Sequence, residues 1–303
     1  GTGGGGSATS SSHGIFLGGN ATASNITMMA NGGDILLTGI EGKGTGSLGI
    51  FGCSTVPSVI GNASTSGNVT LVTDSATLSS STGSFVNSSN LLIVPRTPGV
   101  GVVLGEAAGT TPRGGPLYFT NAVLNTMVSP NIQIGNSSTG NVVISTYTNA
   151  TIPSGSNLTL VSNNTSSTGI SANGTLTMSA GKVLDISALP AVNTRINGTT
   201  VQTQYNQLKV VGDLSIAGKS LNLSGNYTST AGNVFVIADA TNLTGAFTGL
   251  ANGATTTLNG RTLIVNYNST SATLTDPAPL ITTQPTSSTV TAGGQATFTA
   301  VAT

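Results

Sequence analysis

NVTLVT at 68–73, NIQIG at 131–135, NVVIST at 141–146 and NLTLVS at 157–162 are variants of one phrase. Each opens on Asn, then sets Val, Ile or Leu at every second place between Thr, Gln or Ser. Side chains of a strand alternate between its two faces, so this pattern buries one face and leaves the other wet. TLTMSAG at 175–181, LKVVGDLSIAG at 208–218 and SLNLSG at 220–225 continue the series. Helical periodicity is nearly absent, and the strong helix formers Glu, Lys, Arg and Gln are scarce. Asn-Gly pairs at Asn31, Asn173, Asn197, Asn252 and Asn259 supply turns of positive φ.

Short strands at near-regular spacing fit a sandwich, a barrel or a solenoid. The repeated wording favours the solenoid, as do the Asn, Ser and Thr positions that recur beside the strands. Stacked coils place like residues above one another, and like charges would then repeat at about 4.8 Å. Charge is indeed sparse: charged residues are 5% of the 303, and none lies between Gly114 and Gly181. Hydrophobic residues are 37%, mostly Val, Ile, Leu and Ala, with aromatics at 4% and no Trp. Such small branched residues suit thin, layered sheets. The sequence therefore predicts an all-β chain, a right-handed parallel β-helix, with an extended or immunoglobulin-like β segment at its C-terminal end. A repeat of roughly 20–25 residues predicts about a dozen coils and a rod of about 50–60 Å.

Two stretches resemble known proteins. LLIVPRTPGVGVVLG, GGPLYFTNAVLNTM, PNIQIGNSSTGNVVIST and GISANGTLTMSAGKVLDIS follow one another between Leu91 and Ser187. In that order they resemble the filamentous-haemagglutinin-like repeats of large secreted bacterial adhesins. QYNQLKVVGDLSIAGKSLNLSGNY and AGNVFVIADATNLTGAFTGLANGATTTLNGRTLIVNYNSTSATLT, between Gln204 and Thr275, resemble the C-terminal portion of autotransporter-type passengers. Asn206 stands where that family often carries Asp, and Asn268-Ser269 where Gly-Gly-Asp is common, so the acidic turns of a calcium-binding version are missing. After Asp276 the wording changes to PAPLITTQPTSSTVTAGGQATFTAVAT, which resembles the first strands of bacterial immunoglobulin-like modules. The division is then 1–203 β-helix repeats, 204–275 passenger-type module, and 276–303 Pro-rich linker and alternating tail. Thr289, Val290, Thr297, Phe298 and Val301 of that tail are candidates for an intermolecular strand, since an alternating terminal strand suits pairing with a neighbour's sheet edge.

Catalytic chemistry finds little material. Glycosidases need two carboxylates about 5–9.5 Å apart across one groove. Asp34, Glu41, Asp74, Glu106, Asp185, Asp213, Asp239 and Asp276 are scattered singly, and only Asp213 and Asp239 lie on neighbouring units. Turn acids accepting backbone hydrogen bonds are the plainer reading. His13 has no acid nearby and reads as a surface residue. The GKS at Gly218 lacks the glycine spacing and the following helix of a phosphate-binding loop. Cys53 stands alone, a small buried hydrophobe or else a reactive thiol. We expect no enzyme, cofactor or metal site; a carbohydrate-active β-helix is the reading from another class.

Asn-x-Ser/Thr sites are numerous, and Asn20, Asn25, Asn62, Asn68, Asn136, Asn149, Asn157, Asn222, Asn226 and Asn242 are among them. They are candidate glycosylation sites, and sugar would supply the solubility that missing charge does not. The formal net charge of +0 gives no electrostatic reason to bind nucleic acid, and no apolar run reaches the ~18 residues of a spanning helix. The absence of an initiator Met or signal segment suggests a mature product or a piece of something longer. The expected role is an extracellular or bacterial cell-surface rod that is structural and adhesive, self-associating head to tail through its ends. Its expected ligand is a surface glycan or another cell. A stalk carrying a binding domain elsewhere is the alternative.

Overall fold

The computed structural model of the chain describes residues 12–18, 26–44, 46–52, 58–62, 67–77, 86–105, 115–145, 150–153, 155–163, 168–279 and 281–302. They form a parallel β-helix of three faces, read most simply coil by coil. The first coil is β1 (Ile15–Leu17), β2 (Ile26–Met28) and β3 (Ile35–Thr38). The second is β4 (Ile50–Gly52), β5 (Ser58–Ile60) and β6 (Asn68–Val72), and the third β7 (Ala76–Thr77), β8 (Val86–Asn87) and β9 (Asn90–Val94). The fourth holds β10 (Val102–Leu104), β11 (Leu117–Phe119), the short helix α1 (Asn121–Leu124), β12 (Met127–Val128) and β13 (Asn131–Ile134). Next come β14 (Val142–Ile144), β15 (Ala150–Thr151) and β16 (Asn157–Leu160), then β17 (Ile170–Ala172), β18 (Thr175–Thr177) and β19 (Leu184–Asp185). The last two coils are β20 (Ala191–Arg195) with β21 (Leu208–Ser215), and β22 (Ser220–Ser224) with β23 (Val234–Thr244).

Strands pair with counterparts in neighbouring coils, and every strand pairing within these coils is parallel. Face three runs β3–β6–β9–β13–β16–β19. Face two runs β2–β5–β8–β12 and resumes as β15–β18–β21–β23. Face one is β1–β4–β7, then β11–β10–β14–β17–β20–β22. The alternation read from the sequence sets which residues point inward. Val69, Leu71, Leu91, Ile93, Ile132, Ile134, Leu158 and Leu160 form stacked rows of one continuous core, each at most 2% exposed.

There are eight coils rather than about a dozen, so the stack is about 35–40 Å tall at one strand spacing per coil. The reason is coil length. Neighbouring rungs on face three are separated by 34, 22, 41 and 26 residues, not by a steady 20–25. The longest coil contains an excursion: β11 lies on the N-terminal side of β10, so Val102 pairs with Leu117 on one edge and Val142 on the other. Thr120 then caps α1, its hydroxyl accepting the Val123 N–H at 3.1 Å, and the chain re-enters the stack at β12.

Past residue 204 the coils change shape. β21 and β23 are long strands of 8 and 11 residues, and both turn a corner at an irregularity between Val210 and Asp213. Gly212 takes φ +147 there. Beyond β23 the sheet continues in antiparallel pairing through β26 (Ser271–Thr275), β25 (Arg261–Tyr267) and β24 (Thr255–Leu258). Asn259 and Gly260, φ 48 and 77, make the two-residue hairpin between β24 and β25 that an Asn-Gly pair predicts. Gly32 and Gly253 also take positive φ, while the Asn173-Gly174 and Asn197-Gly198 turns do without it. In the tail, β27 (Ile281–Thr283) pairs antiparallel with β28 (Val301–Ala302), and residues 284–300 between them are exposed and outside strands. Of the candidate intermolecular positions only Val301 lies in a strand; Thr289, Val290, Thr297 and Phe298 lie in the exposed connection.

Corners test how tightly the coils stack. Gly135 has φ +92, and a Cβ there would meet the Val161 carbonyl oxygen of the next coil at 2.0 Å. Gly99 has φ +82 with nothing within 4 Å of the same added atom. Gly99→Ala should therefore cost only the left-handed backbone penalty, about 1 kcal/mol, while Gly135→Ala should cost about 3 kcal/mol or more. Urea unfolding of both variants measures the difference.

Candidate functional site

The feature that the stacking creates is a column of asparagines along the edge where face three begins. Asn68, Asn90, Asn131 and Asn157 open β6, β9, β13 and β16 and lie in register. Their amides form a chain. Asn90 Nδ2 donates to Asn68 Oδ1 at 2.7 Å, Asn131 Nδ2 to Asn90 Oδ1 at 3.0 Å, and Asn157 Nδ2 to Asn131 Oδ1 at 3.1 Å. Asp34 starts the column, accepting the Asn68 N–H at 2.8 Å, and the Val183 N–H ends it on Asn157 Oδ1 at 3.1 Å. A carboxamide suits this place because it both donates and accepts while staying neutral. Stacked carboxylates would repel at the same spacing. A second chain on face one joins Asn222 Nδ2 to Asn193 Oδ1 at 2.8 Å, while Asn141 Oδ1 accepts the Gly169 N–H at 3.0 Å. Beside the first column, Thr70, Leu92, Gln133 and Thr159 face outward along a shallow groove of about 370 Å3.

Scattered acids serve turns. Asp74 accepts the Thr97 N–H at 2.8 Å and lies 3.3 Å from Arg96, and Asp185 accepts the Ser187 N–H at 2.7 Å. The Ser75 hydroxyl donates to Glu41 at 2.5 Å; Glu106 lies outside the described residues. Asp239 stands opposite Lys209, with 3.0 Å between Nζ and Oδ2, while Asp213 stands opposite Asn242. Register thus sets each acid opposite a different residue, with a corner of the strands between them, and does not pair the two acids. Among the described residues no group of three or more His, Cys, Asp or Glu could hold a metal ion, and no helix is long and apolar enough to cross a membrane.

His13 is half-buried. Its ring stacks on Phe51 with centroids 4.3 Å apart, its Nδ1 accepts the Leu48 N–H at 3.1 Å, and burial holds its pKa below the usual histidine value. Phe16 extends that stack at 5.5 Å from Phe51. At the opposite end Tyr205 and Tyr227 pack edge-on against Phe235, and Tyr267 tilts against Phe247. The ring-to-ring contacts of the described residues thus lie toward the two ends of the stack, while Phe119 of β11 is buried alone in its middle.

The C-terminal sheet is fastened by the least exposed acid of the described residues. Asp276 is fully buried, and Arg261 meets it in a fork, Nε to Oδ2 at 2.9 Å and Nη2 to Oδ1 at 2.5 Å. The Ser229 hydroxyl adds a short hydrogen bond to the same carboxylate. The hydrogen bond from Arg261 holds the Asp276 carboxyl below the ordinary carboxylate range, outweighing burial, which acts the other way, and the Ser229 bond lowers it further. Asn259 adds a cap, its Nδ2 donating to the carbonyls of Gly225 and Tyr227 at 3.2 and 2.9 Å.

The candidate glycosylation positions divide by geometry. Asn20, Asn25, Asn149 and also Cys53 lie outside the described residues. The Asn157 and Asn68 side chains belong to the column, and Asn222 donates within the second chain. Asn136 Oδ1 accepts from Ser138 and Thr139 in its own turn. Asn62 is half-buried, while Asn226 and Asn242 are exposed on the last coil. Asn206, the departure from the calcium-type wording, is buried, and its Oδ1 has no hydrogen-bond partner.

Comparison with known proteins finds no matching family model, no matching curated protein and no matching solved structure. The shown likeness is therefore architectural: parallel sheets stacked in chain order, a β-solenoid.

Three changes probe these features. Asn131→Ala removes two column bonds from the middle of the stack and should cost about 1–2 kcal/mol, against less than about 0.5 kcal/mol for Asn226→Ala. Urea unfolding at neutral pH reads both. For the clamp, the sign follows from the lowered Asp276 pKa: its contribution is complete above the ordinary carboxylate value and is lost as pH falls through the lower folded value. Wild-type stability should therefore fall only in strong acid. In Arg261→Met, burial is opposed only by the smaller effect of the Ser229 bond and raises the Asp276 pKa relative to wild type, so this variant should be weaker at pH 7 and lose less on acidification to pH 5. Urea midpoints at the two pH values decide it.

Proposed function

We propose that this chain is the stiff rod of an extracellular bacterial surface structure, mechanical and adhesive in role, which joins further copies through its ends. The observation that carries the reading is the neutral column of stacked amides over an unbroken aliphatic core. It spends sequence on axial continuity, with inert faces, rather than on clustered charge. Resemblance of the segments between Leu91 and Ser187 and between Gln204 and Thr275 to filamentous-haemagglutinin-like repeats and autotransporter passengers supports export to the cell surface.

Axial association has a physical motive. β1, β2 and β3 are each terminal in their sheets, and β22 is terminal on face one, so both ends of the stack present parallel strand edges among the described residues. Unpaired edges template pairing with another chain. Such a contact between unlike ends is heterologous and extends into a filament unless it closes on itself. Face two is different, since β24–β26 continue its sheet, and joining therefore falls to face one and to the tail. Exposed Val290 and Phe298 of that tail are available to a neighbour's edge.

Electron microscopy of native, unprocessed material tests the reading. Continuous fibres with an axial repeat near one rod length are the expected result. Separate rods carrying larger heads would instead make the chain a stalk, and isolated rods without fibres or heads would overturn both.

A further inference from the structure

Lys219 is 5% exposed, the most enclosed basic side chain of the described residues. It occupies the short turn between β21 and β22, above the 186–190 turn of the coil below. Its Nζ donates to the Ser187 carbonyl at 2.6 Å. An ammonium has three hydrogens to donate, and among the described residues its Nζ makes this one hydrogen bond. No carboxylate of the described residues pairs with it: Asp185, the acid that acts on it from a distance, is turned to the Ser187 N–H. Burial lowers the Lys219 pKa, and the Asp185 charge opposes that shift.

The same turn lines a groove of about 380 Å3 along the corner where face three passes into face one. Successive coils supply its wall: Ser137, then Val161 and Ser162, then Ser187 to Pro190, then Lys219. Exposed Ser137 and Ser187, half-buried Val161 and Pro190 and the Lys219 side chain make an amphipathic lining, with Leu189 and Ser162 buried beneath it. Pockets of this size, apolar with a few placed polar groups, hold small molecules.

The geometry points to a binding site for an acidic monosaccharide unit, whose carboxylate meets the Lys219 ammonium while its ring hydroxyls meet the serines and its C–H face lies on Val161 and Pro190. A buried cation with unused donors favours an anionic partner, because a charge-assisted hydrogen bond replaces the water it has lost. The proposal goes beyond the rod reading, since a rod needs no such groove.

Saturation-transfer NMR and titration calorimetry with glucuronate, glucose and sodium sulfate test it on the whole chain. Wild type should bind glucuronate with a Kd of about 1 mM or tighter. Glucose, which lacks the carboxylate, and sulfate, which lacks the ring, should each bind at least about tenfold more weakly, a 1.4 kcal/mol difference. Lys219→Met and Ala188→Trp should each weaken glucuronate at least about tenfold. The second variant keeps the ammonium clamp and changes only an exposed groove residue, so it remains informative if the first fails to fold. No glucuronate binding by wild type, equal binding of glucose or sulfate, or wild-type affinity in Ala188→Trp would overturn the site. Fibre formation can succeed or fail independently of each of these results.

Discussion

In-register stacking governs this molecule. Each coil is too thin to bury its own aliphatic face and does so only against the coils above and below. Stacking at one strand spacing also multiplies every side-chain choice, because whatever stands at an edge position is repeated along the axis. A charge there would meet its like at about 4.8 Å. A carboxamide instead hands one hydrogen bond to the next rung, and the run from Asn68 to Asn157 is the outcome. The scarcity of charge and the abundance of Asn are two consequences of this one constraint.

The constraint lapses at the ends, and the chemistry changes there. Aromatic rings gather around His13 and Phe51 at one end and around Phe235 and Phe247 at the other. Antiparallel strands close one face, and the fully buried Asp276 is held by Arg261 and Ser229. A forked ion pair whose carboxylate is buried and whose guanidinium is part-exposed contributes specificity of geometry as well as stability. Here it fixes the end of β26 against the start of β25 and against Ser229, three segments that no repeat brings together. Lys219 lies on the last turn of a corner groove that runs along several successive coils.

These features bear differently on function. In the proposed rod, the column and core would supply stiffness, and the neutral faces would supply inertness. Open parallel edges on face one, with the exposed apolar positions of the tail, are the surfaces on which assembly would act. The groove beside Lys219 stands apart, because it sets an enclosed cation beside serines of successive corner turns.

Local pattern by itself determined the all-β, one-side-buried character of the chain and its solenoid architecture, because alternation of period two is written in consecutive residues. Asn68, Asn131 and Asn157 were legible as like positions, since each opens a similar phrase. Asn90 was not, because its strand reads NLLIV and its rung is 22 residues from one neighbour and 41 from the other. Coil number was misjudged for the same reason: turn length and the β11 excursion obey long-range packing rather than local propensity. Tertiary structure alone decided that Asp213 and Asp239 are not paired, that Asp276 meets Arg261, and that Lys219 is enclosed. Those relations depend on which rung lies over which, a choice made by burial across coils and carried by no single segment.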